Sequence, residues 1–277
     1  MDIPSSAGAT PGLAARAGGA WDVPGPARLV VVRHGESLGN VADAEAHRHQ
    51  ASRLTLDVRD ADVELSATGR DQADALGRWW AGSAGPLPDA VLSSPFRRAF
   101  DTARRALAQL PGHDAQRLQP IRDERLRERD LGAFDGMTGL GIRTDHPDEA
   151  RRRTQQGKFY YRPPGGESWC DVALRVRSLL RDVDLRWPGG HVWLFTHRAV
   201  IMNLRLVLED LDEDAVLRAD AEEPLANCAV TTYARDGGRL RLESYNATPA
   251  VDAGAAKTHE PESAGRLTGA EPGHHGG

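Results

Sequence analysis

The chain has 277 residues, 40% of them hydrophobic and 27% charged, with 29 glycines and a formal net charge of −5. That length builds an ordinary core in one large α/β domain or two small ones, while the acidic balance argues against nonspecific binding to nucleic acid or anionic membrane. No run approaches the ~18 apolar residues of a membrane span, and the first residues, Met1-Asp2-Ile3-Pro4-Ser5, lack the basic and apolar parts of a secretory leader.

Cys170 and Cys228 stand far apart with no C-x-x-C spacing, so neither a disulfide framework nor a thiolate zinc site is indicated. A soluble protein of a reducing compartment, the cytoplasm, is expected. Among the basic residues only Lys158 and Lys257 are lysines. Most of that bias reflects codon usage, and some of the arginines are candidates for bidentate recognition of a phosphate or carboxylate.

In chain order, residues 1–26 are rich in Ala, Gly, Pro and Ser and are expected to be disordered. Residues 28–32 (RLVVV) predict a strand buried on both faces. Residues 68–80 predict a helix with Thr68 as N-cap and Ala73, Leu76 and Trp80 on its apolar face. Residues 90–92 predict a second strand, and Ser94-Pro95 a cap followed by a helix to about Leu110. Residues 117–121 form a weaker strand candidate. Residues 168–186 carry Trp169, Val172, Val176, Leu179 and Val183 at helical spacing. Residues 191–195 predict a buried strand and 199–208 a helix; residues 227–235 and 239–245 flank Asp236-Gly237-Gly238, a hairpin signal. Residues 249–277 return to the composition of the N-terminus and are expected to be a disordered tail. This alternation predicts a three-layer α/β/α sandwich with a mostly parallel central sheet, finished by an antiparallel pair.

In such sheets ligands bind at the carboxyl ends of the strands. The first strand runs into Arg33-His34-Gly35-Glu36-Ser37, the second into Ser93-Ser94-Pro95-Phe96-Arg97, and the strand ending at Phe195 into Thr196-His197. Neighbouring strands would gather two histidines and two arginines in one crevice, a set suited to a dianionic phosphoryl group. Gly35 would let the chain turn and aim amides at the anion. Arg97 and its neighbour Arg98 cannot be separated by sequence position alone. His47 and His49 have H-x-H spacing but no third ligand close in sequence, and His274-His275 is a tail pair. Arg151-Arg152-Arg153 reads as a solvated helix face, with a lid that attracts phosphorylated substrates as the alternative.

Six fragments, RHGESLGN at 33–40, LSATGRDQA at 65–73, SSPFRRAFDTA at 93–103, RERDLGAFDG at 127–136, PPGGES at 163–168 and TH at 196–197, resemble the histidine phosphatases of the phosphoglycerate mutase-like superfamily over about residues 28–245, within a domain expected at residues 27–248. The resemblance implies His34 as nucleophile, Arg33, Arg97 and Asn40 as phosphate ligands, and His197 as a donor to the transition state. It also implies Glu128 as the acid that protonates the leaving oxygen and later activates water. No metal or cofactor is called for, because the arginines supply the charge. The partner expected is a small phosphorylated metabolite, and several relatives form homodimers. Two departures stand out: Arg198 follows His197 where the family usually has Gly, and Phe134 stands where many relatives carry Trp. Arg198 would narrow the pocket, add a phosphate contact or point outward. Residues 137–163 form an insertion resembling a cap, and Phe159, Tyr160, Tyr161 and Arg162 at its end are candidates for reading the substrate. The FYYRPPGGES ending favours hydrolysis over the mutase reaction, a phosphoglycerate mutase being the alternative and an inactive phosphate-binding or scaffold protein the reading from another class.

Overall fold

The computed structural model describes residues 25–83, 85–112 and 117–259. Expectations for residues 1–24 and for His274-His275 lie outside the described residues. The strands are β1 (Arg28–Arg33), β2 (Ala90–Ser93), β3 (Ile121–Arg122), β4 (His191–Thr196), β5 (Val230–Asp236) and β6 (Arg239–Ala247), in the sheet order β3-β2-β4-β1-β5-β6. β1, β2, β3 and β4 run parallel, and β5 pairs antiparallel with both β1 and β6. This is the predicted architecture.

The three layers follow from alternation along the strands, since successive side chains leave a sheet on opposite faces. Leu29, Val31, Leu92, Val192 and Leu194 face one core, closed by Val172, Val176, Leu179 and Val183 of a helix at Trp169–Arg186 and by Val200, Ile201 and Leu204 of a helix at Arg198–Leu208. Val30, Val32, Val91, Trp193 and Phe195 face the other, closed by Leu76 and Trp80 of a helix at Ala67–Gly82 and by Ala103, Ala106 and Leu107 of a helix at Arg97–Ala108. In chain order the helices are α1 (Leu38–Arg48), α2 (Ala67–Gly82), α3 (Arg97–Ala108), α4 (Gly139–Asp145), α5 (Pro147–Gln156), α6 (Trp169–Arg186), α7 (Arg198–Leu208), α8 (Glu213–Glu222) and α9 (Pro249–Asp252).

Several boundaries differ from the sequence reading. The cap of α2 is Ser66, not Thr68: its hydroxyl accepts from Gly69 N at 3.0 Å and donates to Glu36 at 2.6 Å, so a tertiary contact selects it. Helix α3 begins at Arg97 because Ser94 Oγ instead accepts from Phe96 N at 3.1 Å, closing a turn before the helix. The weak strand shrinks to Ile121–Arg122, and β5 starts at Val230 because Asn227 is drawn to Thr258, its N–H donating to Thr258 O at 2.8 Å. Residues 249–259 are not a disordered tail. Ala250 is buried in the core beside α2, and Gln72 donates to Ala256 O and Thr258 Oγ1, both at 2.8 Å.

The insertion holds α4 and α5, which sequence periodicity did not indicate; they pack through Phe134, Met137, Ile142 and Tyr161. Helices α1 and α8 were also missed. Each has a legible start, Ser37 with Asn40 in a capping box and Asp212 ahead of Glu213 and Asp214, but neither has a long apolar stripe. Cys170 and Cys228 are unpaired, as expected. Among the described residues no helix is long and apolar enough to cross a membrane, and no group of three or more His, Cys, Asp or Glu is placed to hold a metal, His47 and His49 included.

Candidate active site

Strand register assembles the site. β1 and β4 are level at their ends, Arg33 opposite Thr196, and His34 N donates to Thr196 O at 3.0 Å. The residues immediately beyond are His34 and His197, whose rings stand 5.1 Å apart between centroids. One strand over, Ser93 lies opposite Phe195 and Ser94 N donates to Phe195 O, which brings the Ser94 hydroxyl to His197 Nε2 at 2.8 Å.

The turn after β1 is fixed by close backbone packing. A Cβ on Gly35 would meet the Gly69 carbonyl, and one on Gly69 would collide with that of Glu36, so the glycines of the RHG and TGR segments are needed for the same contact. Gly35 N–H is given to Thr102 Oγ1 at 3.0 Å and Glu36 N–H to Gln72 Oε1 at 2.9 Å. These two amides therefore bind protein rather than an anion, which corrects the expectation for Gly35. Its carbonyl matters instead: it lies 2.7 Å from His34 Nδ1. A carbonyl only accepts, so Nδ1 carries the proton and Nε2 of neutral His34 keeps its lone pair.

Both histidines are buried, His34 2% exposed and His197 not at all. Burial first, then the charges of Arg98 and Arg33, holds His34 well below the usual imidazole range; burial, Arg98 and His34 do the same to His197. Ser94 Oγ already accepts from Phe96 N. Giving its own proton to His197 Nε2 completes that hydroxyl and leaves the His197 proton on Nδ1, which has no hydrogen-bond partner among the described residues.

A cavity of about 640 Å³ is lined among others by Asn40, Phe96, Arg98, Glu128, Arg129, Lys158, Arg198 and Asp220, with the histidine pair lying behind Phe96 and Asn40 rather than on its wall. Phe96 bridges cavity and histidines, lying 5.4 Å from the His197 ring. Ser37, Gly39 and Asn40 from the start of α1 and Arg198 and Ala199 from the start of α7 also line it, so two helix N-termini face the cavity, an arrangement that favours anions.

Of the predicted residues, Arg33, His34 and His197 share one buried cluster, Asn40 is tied to the His34 carbonyl through Asn227, and Glu128 lines the same cavity as Asn40. Arg33 is fully buried and donates through Nη1 to Leu225 O. Asn40 Oδ1 accepts from Ser37 N, Ser37 Oγ and Asn227 Nδ2 at 3.0 to 3.2 Å, which fixes the orientation of the side-chain amide. Glu128 Oε1 accepts from Arg129 N at 2.7 Å on the cavity wall.

Arg97 does not join them. Its side chain is half exposed and pairs with Glu64 at 2.7 Å and Asp101 at 3.6 Å. Arg98 points inward in its place, 5% exposed, held by Asp60 and set 5.2 Å from the Phe96 ring. Successive residues of a helix point about 100° apart, so the first turn of α3 turns one guanidinium in and the other out.

Helical phase relative to the strand end, which depends on where α3 starts, decides between them; the Ser94 turn sets that start and was not legible. Also unforeseen was the support of Glu128. Arg175 on α6 forks onto Glu167 at 3.0 and 3.1 Å and donates to Arg125 O and Glu128 O, while Glu167 accepts from Asp130 N at 3.1 Å and Arg127 Nη2 at 2.6 Å.

The aromatic end of the insertion does not read the cavity. Phe159 and Tyr161 are buried in side cores, Tyr160 reaches Glu213 and Arg162 pairs with Asp171. Lys158, one residue earlier, lines the cavity instead. Arg151 and Arg152 are exposed and pair with Asp148 and Glu149, whereas Arg153 is buried. Arg198 settles into the cavity wall: its Nε contacts Asp220 Oδ1 at 2.7 Å and its Nη2 Asp220 O at 3.0 Å.

The family model for the histidine phosphatase superfamily (branch 1) matches residues 29–248. A bifunctional protein of Mycobacterium tuberculosis is 30% identical over 213 residues, 76% of this chain and 52% of its own length. Glucosyl-3-phosphoglycerate phosphatase of the same organism is 34% identical over 189 residues, 65% of this chain and 74% of that protein. A solved structure of the mycobacterial glucosyl-3-phosphoglycerate phosphatase with inorganic phosphate superposes with a TM-score of 0.61 at 29% identity, covering 80% of this chain and 98% of that one. The chain thus spans about half the length of the first of these relatives.

Proposed function

Because the chain belongs to the histidine phosphatase superfamily, branch 1, we propose that it hydrolyses phosphomonoesters of small metabolites through a phosphohistidine formed on His34 Nε2. The observation that carries this reading is the His34 Nδ1 contact to the Gly35 carbonyl, which dedicates Nε2 to attack. The phosphoryl group enters between Asn40, Arg98 and Glu128. The Nε2 lone pair forms the N–P bond as the ester P–O bond breaks, and Glu128 gives its proton to the departing oxygen. Arg33, Arg98, the Asn40 amide and His197 Nδ1–H face the equatorial oxygens as their charge rearranges. Glu128, now a carboxylate, takes a proton from water as that water attacks phosphorus and the N–P bond breaks, which returns His34 and releases inorganic phosphate.

The resemblance of the relatives supports a phosphorylated organic acid or sugar as the substrate class, one of them being named for glucosyl-3-phosphoglycerate. Hydrolysis of p-nitrophenyl phosphate that resists EDTA, is inhibited by vanadate and disappears in His34→Ala is the expected result. Conversion of 3-phosphoglycerate to 2-phosphoglycerate without phosphate release would move the reading to a mutase, and no turnover on a broad phosphoester panel would move it to a phosphate-binding protein.

A further inference from the structure

The C-terminal segment reaches the nucleophile from behind. Helix α9 buries Ala250 in the core beside α2, and the chain then runs alongside Asn227. Asn227 N donates to Thr258 O at 2.8 Å, and Ala226 forms an antiparallel bridge with His259.

The side-chain contacts of this segment have a direction. Glu36 N donates to Gln72 Oε1 at 2.9 Å, and Gln72 Nε2 donates to Ala256 O and Thr258 Oγ1, both at 2.8 Å. A carbonyl only accepts and an N–H only donates, so Ala256 and Glu36 together fix which end of the Gln72 amide faces Thr258. The Thr258 hydroxyl, having accepted from Gln72, donates to Asn227 Oδ1 at 3.0 Å. Asn227 Nδ2 in turn donates to His34 O and to Asn40 Oδ1, both at 3.2 Å. The path leaves the turn after β1 at Glu36 and returns to it at His34, closing a ring through residues 72, 258 and 227.

The ring bears on the nucleophile's own main chain. His34 O also accepts from Cys228 N at 3.2 Å, with Cys228 in the left-handed region at φ 54°. Gln72 and Asn227 are buried, so their amides find little water to replace a lost partner. A reversed Asn227 amide would set its oxygen against His34 O and Asn40 Oδ1, oxygens facing oxygens. Thr258 opposes that reversal, because a hydroxyl both accepts from Gln72 and donates to Asn227. The peptide held in this way leads directly to the Gly35 carbonyl, which lies 2.7 Å from His34 Nδ1. Resting on the phosphatase reading above, we propose that Thr258 is a positioning residue for the nucleophile, its hydroxyl setting the Asn227 amide that holds the His34 main chain in place for attack.

Single-turnover kinetics on the full chain test this. With enzyme in saturating excess over p-nitrophenyl phosphate, the rate constant for p-nitrophenolate release reports attack by His34. It needs no proton from Glu128 and does not depend on the fraction of enzyme that is folded. Thr258→Val is expected to lower it by about threefold or more, the scale of one buried hydrogen-bond partner lost. The enzyme concentration at half-saturation changes by less than about twofold. Thr258→Ser, which keeps the hydroxyl, stays within about twofold of the wild-type rate constant. A smaller loss in Thr258→Val, whatever its Tm, assigns the segment to stability alone and overturns the inference. An equal loss in Thr258→Ser, or a change confined to half-saturation, overturns it too. Should Thr258→Val fail to fold, Thr258→Ala, which lacks the same hydroxyl, is judged by the same rate constant. Absence of turnover on every substrate by the wild-type protein instead overturns the phosphatase reading, which an insensitive Thr258 leaves standing.

Discussion

The two halves of the catalytic apparatus are held in different ways. His34 and His197 are placed by backbone: level strand ends, the His34 N–H on Thr196 O, and a glycine-to-glycine contact beneath the turn. Glu128 sits on an irregular segment, residues 124–134, whose shape is set by side-chain ions, Arg175 and Glu167 above all. Backbone-set geometry persists whatever the charge state, whereas ion-set geometry depends on partners that a single substitution removes.

The largest effect expected from breaking this contrast is at Glu128. Glu128→Gln lowers kcat on alkyl phosphates by about 10²- to 10⁴-fold, with a smaller loss on p-nitrophenyl phosphate, whose leaving group needs no proton. Equal losses on both substrates, measured by steady-state kinetics, would remove Glu128 from the acid role. Next, Arg98→Ala costs about 10²-fold or more in kcat/KM, while Arg97→Ala, at a surface ion pair, stays within about twofold. The reverse order would restore Arg97 as the phosphate ligand.

A smaller loss follows from releasing the clamp. Arg175→Met lowers kcat by about tenfold through misplacement of Glu128, with KM little changed, and Arg175→Lys recovers part of it. A change confined to KM, or a loss matched by Arg175→Lys, would deny Arg175 a positioning role. The mildest expectation concerns stability. Both histidines hold their folded pKa below 6.5, so the unfolded chain binds more protons as pH falls through that value. Stability is therefore flat above about pH 7 and declines toward about pH 5. Thermal melts across that window report it, and His197→Gln reduces the slope; an unchanged Tm across the window contradicts the burial of neutral histidines.

The same contrast explains what could be read from the sequence. The β-branched runs at 28–32 and 191–195 and the glycines beside them encode backbone placement locally, and with it the three layers and the meeting of His34 with His197. Choosing Arg98 over Arg97 required the phase of α3, fixed by a turn that Ser94 closes while holding His197. The Asp220 group joins residues 158, 198 and 220, and the Glu128 clamp joins 128, 167 and 175; nothing in the spacing of these charges announces a contact. Helix α9 and residues 256–258 carry a tail-like composition, and only docking on α2 and Asn227 orders them.

The central claim is covalent. Rapid acid-free quenching during turnover of a phosphomonoester, followed by peptide mass spectrometry under alkaline conditions, is predicted to find an acid-labile phosphoryl group on His34 that accumulates in Glu128→Gln. A phosphoryl group on another residue, or none while hydrolysis proceeds, would contradict the account.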